Sequence, residues 1–162
     1  MTAIDFASFV EDLATASGHA ILPFFRSRIG LEDKSDGAVF DPVTEADRAG
    51  EVAMRRLIKD KFPAHGIYGE EYGVENGDAE FVWVLDPIDG TRSFISGVPL
   101  WGTLIGLNRN GRPAYGMMHQ PYIGERFDGD GGKAHGRNHA GERRLLTRPC
   151  ASLADATVMT TT

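Results

Sequence analysis

The chain has 162 residues, 41% of them hydrophobic, and a formal net charge of −6. That is enough for one domain with a real core; the acidic balance argues against a nucleic-acid backbone as main partner, and no apolar run approaches the ~20 residues that cross a bilayer. The single cysteine, Cys150, excludes an intrachain disulfide, and with no basic-then-apolar stretch at Met1–Asp5 the cytoplasm is the expected location.

Phe6, Phe9, Val10, Leu13, Ser17, Ala20 and Phe24 recur at helical spacing, so Ile4 to about Phe25 is predicted as one amphipathic helix. Pro23 lacks an amide donor and should bend or end it. Arg28 to Val43 reads as irregular. Thr44 is placed to cap a second helix, with Val52, Leu57, Ile58 and Phe62 on its apolar side and Pro63 as its stop.

Beyond residue 66 the period changes. Ile67-Tyr68 is a short predicted strand, residues 75–80 a polar excursion, and Phe81 to Leu85 a continuously apolar strand expected to be covered on both faces. A short helix is expected near Thr91. Strands follow at Trp101 to Leu107, Pro113 to Met118, Ile123 to Phe127, Lys133 to His135 and Glu142 to Leu145, with Asn110-Gly111 as a hairpin turn. Ala156 to Thr162 reads as a last strand with nothing after it, so a longer protein is expected. Two helices followed by many strands give an α+β class, a mainly antiparallel sheet packed against two N-terminal helices.

The chemistry concentrates in Asp86-Pro87-Ile88-Asp89-Gly90-Thr91, read as a turn after the apolar strand, with Gly69-Glu70-Glu71 upstream. Mg²⁺ prefers hard oxygen ligands in an octahedral shell and needs few carboxylates if they are well placed. Pro87 restricts Asp86, Asp89 is able to turn back toward the same cations, and the Ile88 carbonyl offers another oxygen. Gly90 permits close backbone approach, and the amides near Gly90 and Thr91, at a helix start, suit phosphate oxygens. Glu70 adds a third carboxylate, while Asp47 and Thr91 have lone pairs able to orient a water. Taken singly these residues have plainer readings. Asp-Pro and Asp-Gly open turns, Glu70 and Glu71 read as surface charges, Asp47 as a helix cap, and Lys34 as a solvated lysine. His135 and His139 are four apart but straddle a poor helix former, without the glutamate of a zinc motif. Gly129 to Gly132 lacks the ending of a Walker loop.

In combination, Asp41-Pro42-Val43-Thr44-Glu45-Ala46-Asp47, Gly69-Glu70-Glu71 and Trp83 to Thr91 resemble the inositol monophosphatase-like superfamily of metal-dependent, lithium-sensitive phosphatases, from the first helix to the chain end. The resemblance implies a layered α/β sandwich of the sugar-phosphatase type spanning residues 1–162. Glu70, Asp86 and the Ile88 carbonyl would bind a first Mg²⁺, and Asp86 and Asp89 a second. Glu70 would help hold a weaker third ion, and Mn²⁺ is a possible substitute. Asp47 and Thr91, with Glu70 close by, would act on the attacking water. Gly90, Thr91, Arg92 and Ser93 would contact the phosphorylated substrate, with Lys34 and Glu71 supporting. The reaction implied is in-line hydrolysis of a phosphate monoester with no phosphoenzyme.

Arg92 to Ile105 is similar to the matching segment of bacterial histidinol-phosphate phosphatases, and Ser93 stands where typical inositol monophosphatases carry Asn. Histidinol phosphate is therefore the first expected substrate, with inositol phosphate or another small sugar phosphate as the alternative. The resemblance further implies a homodimer. It also implies a C-terminal αβ region that supplies one more aspartate, in a Trp-Asp motif, and most leaving-group contacts. Neither occurs in these residues, so the competing reading is an inactive N-terminal fragment, or an assembly domain completed by another chain.

Overall fold

The computed structural model describes residues 6–27 and 42–159, with backbone only for 42–44. The first helix, α1 (Phe6–Ile21), carries the stripe Phe9, Val10, Leu13, Ala14, Ser17, Gly18 and Ile21 into the core. It ends sooner than its apolar period suggests. Pro23 heads a 3-10 turn over Leu22–Phe24, and Phe25 leaves it in extended conformation.

The second helix, α2 (Pro42–Lys61), begins two residues before the predicted cap. Proline at the first helical position gives up only an amide that has no partner there anyway. Thr44 therefore lies inside the helix rather than at its cap, and Asp47 sits one turn further in. Lys59 and Lys61 fill the last turn, where positive charge offsets the helix dipole.

The strands are β1 (Gly66–Gly69), β2 (Gly73–Glu75), β3 (Phe81–Asp89), β4 (Gly102–Arg109), β5 (Arg112–Gln120), β6 (Glu125–Gly129), β7 (Ala134–Asn138) and β8 (Gly141–Leu145), with the short helix α3 (Thr91–Ile95) between β3 and β4. They form one sheet in the order β2-β1-β3-β4-β5-β6-β7-β8. Among the described residues only β1 and β3 are parallel; every other pair is antiparallel. This is the mainly antiparallel α+β arrangement expected. Asn110 and Gly111 both take positive φ, 51° and 74°, as a type I′ hairpin turn demands.

One face of the sheet packs on α1 and α2. Trp83 and Leu85 of β3 join Ile67, Ile105, Leu107 and Met117 against Phe9, Leu13, Met54 and Ile58. Each such buried side chain contributes roughly 1.5–3 kcal/mol. His65 belongs to this packing: its Nδ1 accepts the Trp83 indole N–H at 3.1 Å, and its ring stacks on Phe62 at 4.7 Å.

The opposite face is a trough of about 1120 Å³ lined by Val84, Asp86, Leu104, Met118, Phe127 and Leu145 among others. Among the described residues β3 is thus covered on one face, not both, and its side chains alternate buried and half-buried. Ala156 to Met159 form no strand; a 3-10 turn (Leu153–Asp155) precedes them, and Val158 and Met159 are exposed. The remainder of that predicted strand, 160–162, lies outside the described residues. No described helix is long and apolar enough to cross a membrane.

Candidate metal and phosphate site

Asp86 and Asp89 do not lie on a turn after the strand. β3 runs through both, and its pairing with β4 slips between Asp86↔Leu104 and Asp89↔Gly102. Pro87 cannot donate to the ladder, so a bulge is where it is tolerated. The distortion is held in place. The buried Thr103 hydroxyl donates to the Pro87 carbonyl at 2.8 Å, and the Ser17 hydroxyl lies 3.4 Å from that of Thr103. Ile88 is buried in a second apolar cluster with Ile21, Phe25, Ala46, Phe94 and Trp101. The loop's floor is therefore core, while its carboxylates remain on the rim.

Gly90 follows with φ +91°, and a Cβ there would lie 2.7 Å from the Leu100 carbonyl oxygen. Only glycine fits both the left-handed backbone and that contact. Its carbonyl accepts the amides of Ser93 and Phe94 at 2.9 and 3.1 Å, which starts α3. Thr91 stands at the helix start, its hydroxyl donating to the Ile88 carbonyl at 3.3 Å. Arg92 is exposed and Ser93 half-buried on the same helix.

Glu70 follows the end of β1, which pairs in parallel with β3 so that Gly69 lies opposite Leu85. The Glu70 amide donates to the Leu85 carbonyl at 3.2 Å, bringing Glu70 level with Asp86. The electrostatics follow from that placement. The Asp86 carboxyl is pushed up to about 7, first by burial, then by hydrogen bonding and repulsion from Glu70, then by Asp89. Asp86 Oδ1 is buried and accepts no hydrogen bond among the described residues. Glu71 is also pushed upward by burial, against the pull of Arg48, whose Nε lies 3.5 Å from its carboxylate.

Asp47 is buried on α2. Its neighbour one turn on, Gly50, abuts the bulge: a Cβ there would lie 3.1 Å from Pro87 Cβ. Spacing of three residues puts Asp47 on that same helix face. Lys34 and Asp41 lie outside the described residues.

Among the described residues no three His, Cys, Asp or Glu side chains close tightly enough to chelate an ion as they stand. The donor set nevertheless suits one. Clustered carboxylates raise each other's pKa, and a buried carboxylate oxygen without a donor is costly. A hard divalent cation would reverse both effects, and all-oxygen donors favour Mg²⁺ over zinc. Glu70, Asp86, Asp89 and the Ile88 carbonyl are the groups that would hold it. Glu51 and Arg55, a buried pair under the Glu70 turn, escape a reading of motifs. Their one sequence signal is an i,i+4 Glu-Arg pair on the helix face that also carries Asp47.

A mainly antiparallel sheet backed by two helices, with carboxylates gathered where two parallel strands end, defines a layered α/β sandwich of the sugar-phosphatase type. The model of the inositol monophosphatase family matches residues 4–162, and the chain belongs to that family. It is 43% identical over 158 residues to the bifunctional phosphatase IMPL2, chloroplastic, of Arabidopsis thaliana, covering 96% of this chain and 44% of that protein. It is 40% identical over 122 residues to the histidinol-phosphatase of Chlorobaculum parvum, covering 75% of this chain and 46% of that one. Among solved structures, an inositol monophosphatase from Zymomonas mobilis superposes with a TM-score of 0.74 at 39% identity, covering 90% of this chain and 54% of that one. The chain thus spans about half the length of these relatives.

Proposed function

We propose that these residues form the N-terminal metal- and phosphate-binding part of a Mg²⁺-dependent phosphate monoester hydrolase whose substrate is L-histidinol phosphate. The observation that carries the reading is the strand bulge that places Asp86 and Asp89 together, with Glu70 tied level with Asp86 by its amide bond to Leu85, beside the glycine-led start of α3. Bound there, Mg²⁺ would supply Lewis acidity, lowering the pKa of a water and neutralising phosphoryl charge.

The chain's own residues then divide the work. Glu70, Asp86, Asp89 and the Ile88 carbonyl would hold the two or three ions. Asp47 and the Thr91 hydroxyl orient the attacking water. The backbone at Gly90 and Thr91, with Arg92 and Ser93 on the same helix, receives the phosphate oxygens. Water oxygen bonds to phosphorus as the ester P–O bond breaks in line, and histidinol leaves with a proton taken from solvent.

Similarity to histidinol-phosphatases supports this substrate. Likeness to the Zymomonas mobilis inositol monophosphatase favours a second reading, the same chemistry on inositol phosphate. By family resemblance we take the active protein to be a homodimer, and on its single cysteine we place it in a reducing compartment such as the cytoplasm.

Turnover of the purified full-length protein is to be compared on histidinol phosphate, inositol monophosphate, fructose bisphosphate and adenosine bisphosphate. Preference for histidinol phosphate is expected. A clear preference for inositol monophosphate would transfer the reading to the second substrate, and no Mg²⁺-dependent turnover of any would end it.

A further inference from the structure

Glu51 lies one helical turn past Asp47 on α2 and has no exposure at all. A buried carboxylate is tolerated only when paired and fully hydrogen-bonded, and Glu51 is both. Its Oε1 accepts from Arg55 Nε at 2.6 Å and from the Tyr72 amide at 3.2 Å; its Oε2 accepts from the Glu71 amide at 2.8 Å. Arg55 reaches on to the Gly73 carbonyl at 2.5 Å and to Glu75 at 3.4 Å.

One helix pair thus grips backbone groups of residues 71 and 72, in the turn between β1 and β2, and of Gly73, the first residue of β2. Glu70, the first residue of that turn, is tied to β3 by its amide bond to Leu85. The packing leaves no slack: a Cβ on Gly69 would sit 1.9 Å from Glu51 Oε1.

We propose that Glu51, buttressed by Arg55, is a positioning residue that clamps the Glu71 and Tyr72 amides and so aims the Glu70 carboxylate at Asp86 and Asp89 for cation binding. This rests on the metal reading above. A purely stabilising role would lower the melting temperature without touching cation affinity; a positioning role moves the affinity.

The probe is Mn²⁺, titrated against the full chain and followed by the electron paramagnetic resonance of the free ion. Glu51→Gln keeps the shape but turns one acceptor into a donor facing an N–H. It should weaken Mn²⁺ binding by about 10–100-fold, the scale of a lost outer-shell partner. Ile58→Val, a core change away from the turn, should lower stability and leave Mn²⁺ affinity at the wild-type value. In the wild-type protein, amide exchange should show the Glu71 and Tyr72 N–H groups protected. Unchanged Mn²⁺ affinity in a folded Glu51→Gln protein would overturn the proposal. So would free exchange of those two amides in the wild type, whether or not the variant folds. Failure of the wild type to bind Mn²⁺ would instead remove the metal reading, and this proposal with it.

Discussion

Asp89 belongs to the β3 bulge and Thr103 bonds to it, and their replacements should separate chemistry from support. Asp89 is exposed at the rim, so Asp89→Asn removes a charge without opening the core. It should reduce turnover at least ~100-fold, beyond the usual effect of losing an outer-shell partner, while the circular dichroism and melting temperature stay near wild type. Unchanged turnover would contradict its role as a ligand. Thr103 is fully buried and donates to the Pro87 carbonyl. Thr103→Val keeps the volume but strands that carbonyl, at a cost of about 1–3 kcal/mol, measurable by urea denaturation. The acidic residues of the candidate site stand out by their order along the chain. Glu51 and Thr103 do not, because a buried glutamate and a buried threonine look in sequence like any surface residue of helix or strand.

At the scale of elements, the junction of β3 with α3 carries the strictest backbone demand. Gly90→Ala meets both a positive φ and the Leu100 carbonyl, and should lower stability on the order of 1–3 kcal/mol and depress turnover together. An unaffected melting temperature would show that the junction relaxes more easily than this packing allows. The apolar run Phe81 to Leu85 made β3 recognisable, but Asp-Pro at its end has the composition of a turn. Its continuation to Asp89 depends on β4 offering a partner and Thr103 a donor, which no local pattern reveals. Gly73–Glu75 is too short and too polar to read as a strand, and becomes one only by pairing with β1. Ala156 to Met159 shows the converse: among the described residues this segment pairs with no strand and is irregular.

Across the whole molecule, the helix layer and the sheet are joined by polar contacts as well as by core. The His119 Nδ1–H of β5 donates to the Ala14 carbonyl of α1 at 3.0 Å. Burial and the nearby Arg126 push this imidazole down to about 4. In the unfolded chain a histidine takes up its proton near the ordinary value of about 6.5. Between those values the unfolded state binds the extra proton, so stability present above pH ~6.5 is lost as pH falls toward ~4. The raised Asp86 carboxyl works in the opposite sense over the same range, so this ring's share is read as a difference: from pH 7.5 to 5 the wild-type thermal midpoint should fall relative to that of His119→Asn. A slope identical in the variant would remove His119 as its source. The two-helix, many-strand plan was readable from periodicity. The open trough was not, since a continuously apolar strand looks the same whether one or both of its faces are covered.

The account depends on Glu70, Asp86 and Asp89 meeting around hard cations next to a phosphoryl group. Anomalous diffraction from crystals of the full-length protein grown with Mn²⁺ and phosphate tests this directly. The account predicts density for ions at bonding distance from the oxygens of all three side chains, with the phosphate against Gly90 and Thr91. The three carboxylates standing apart, with no ion between them, would contradict it.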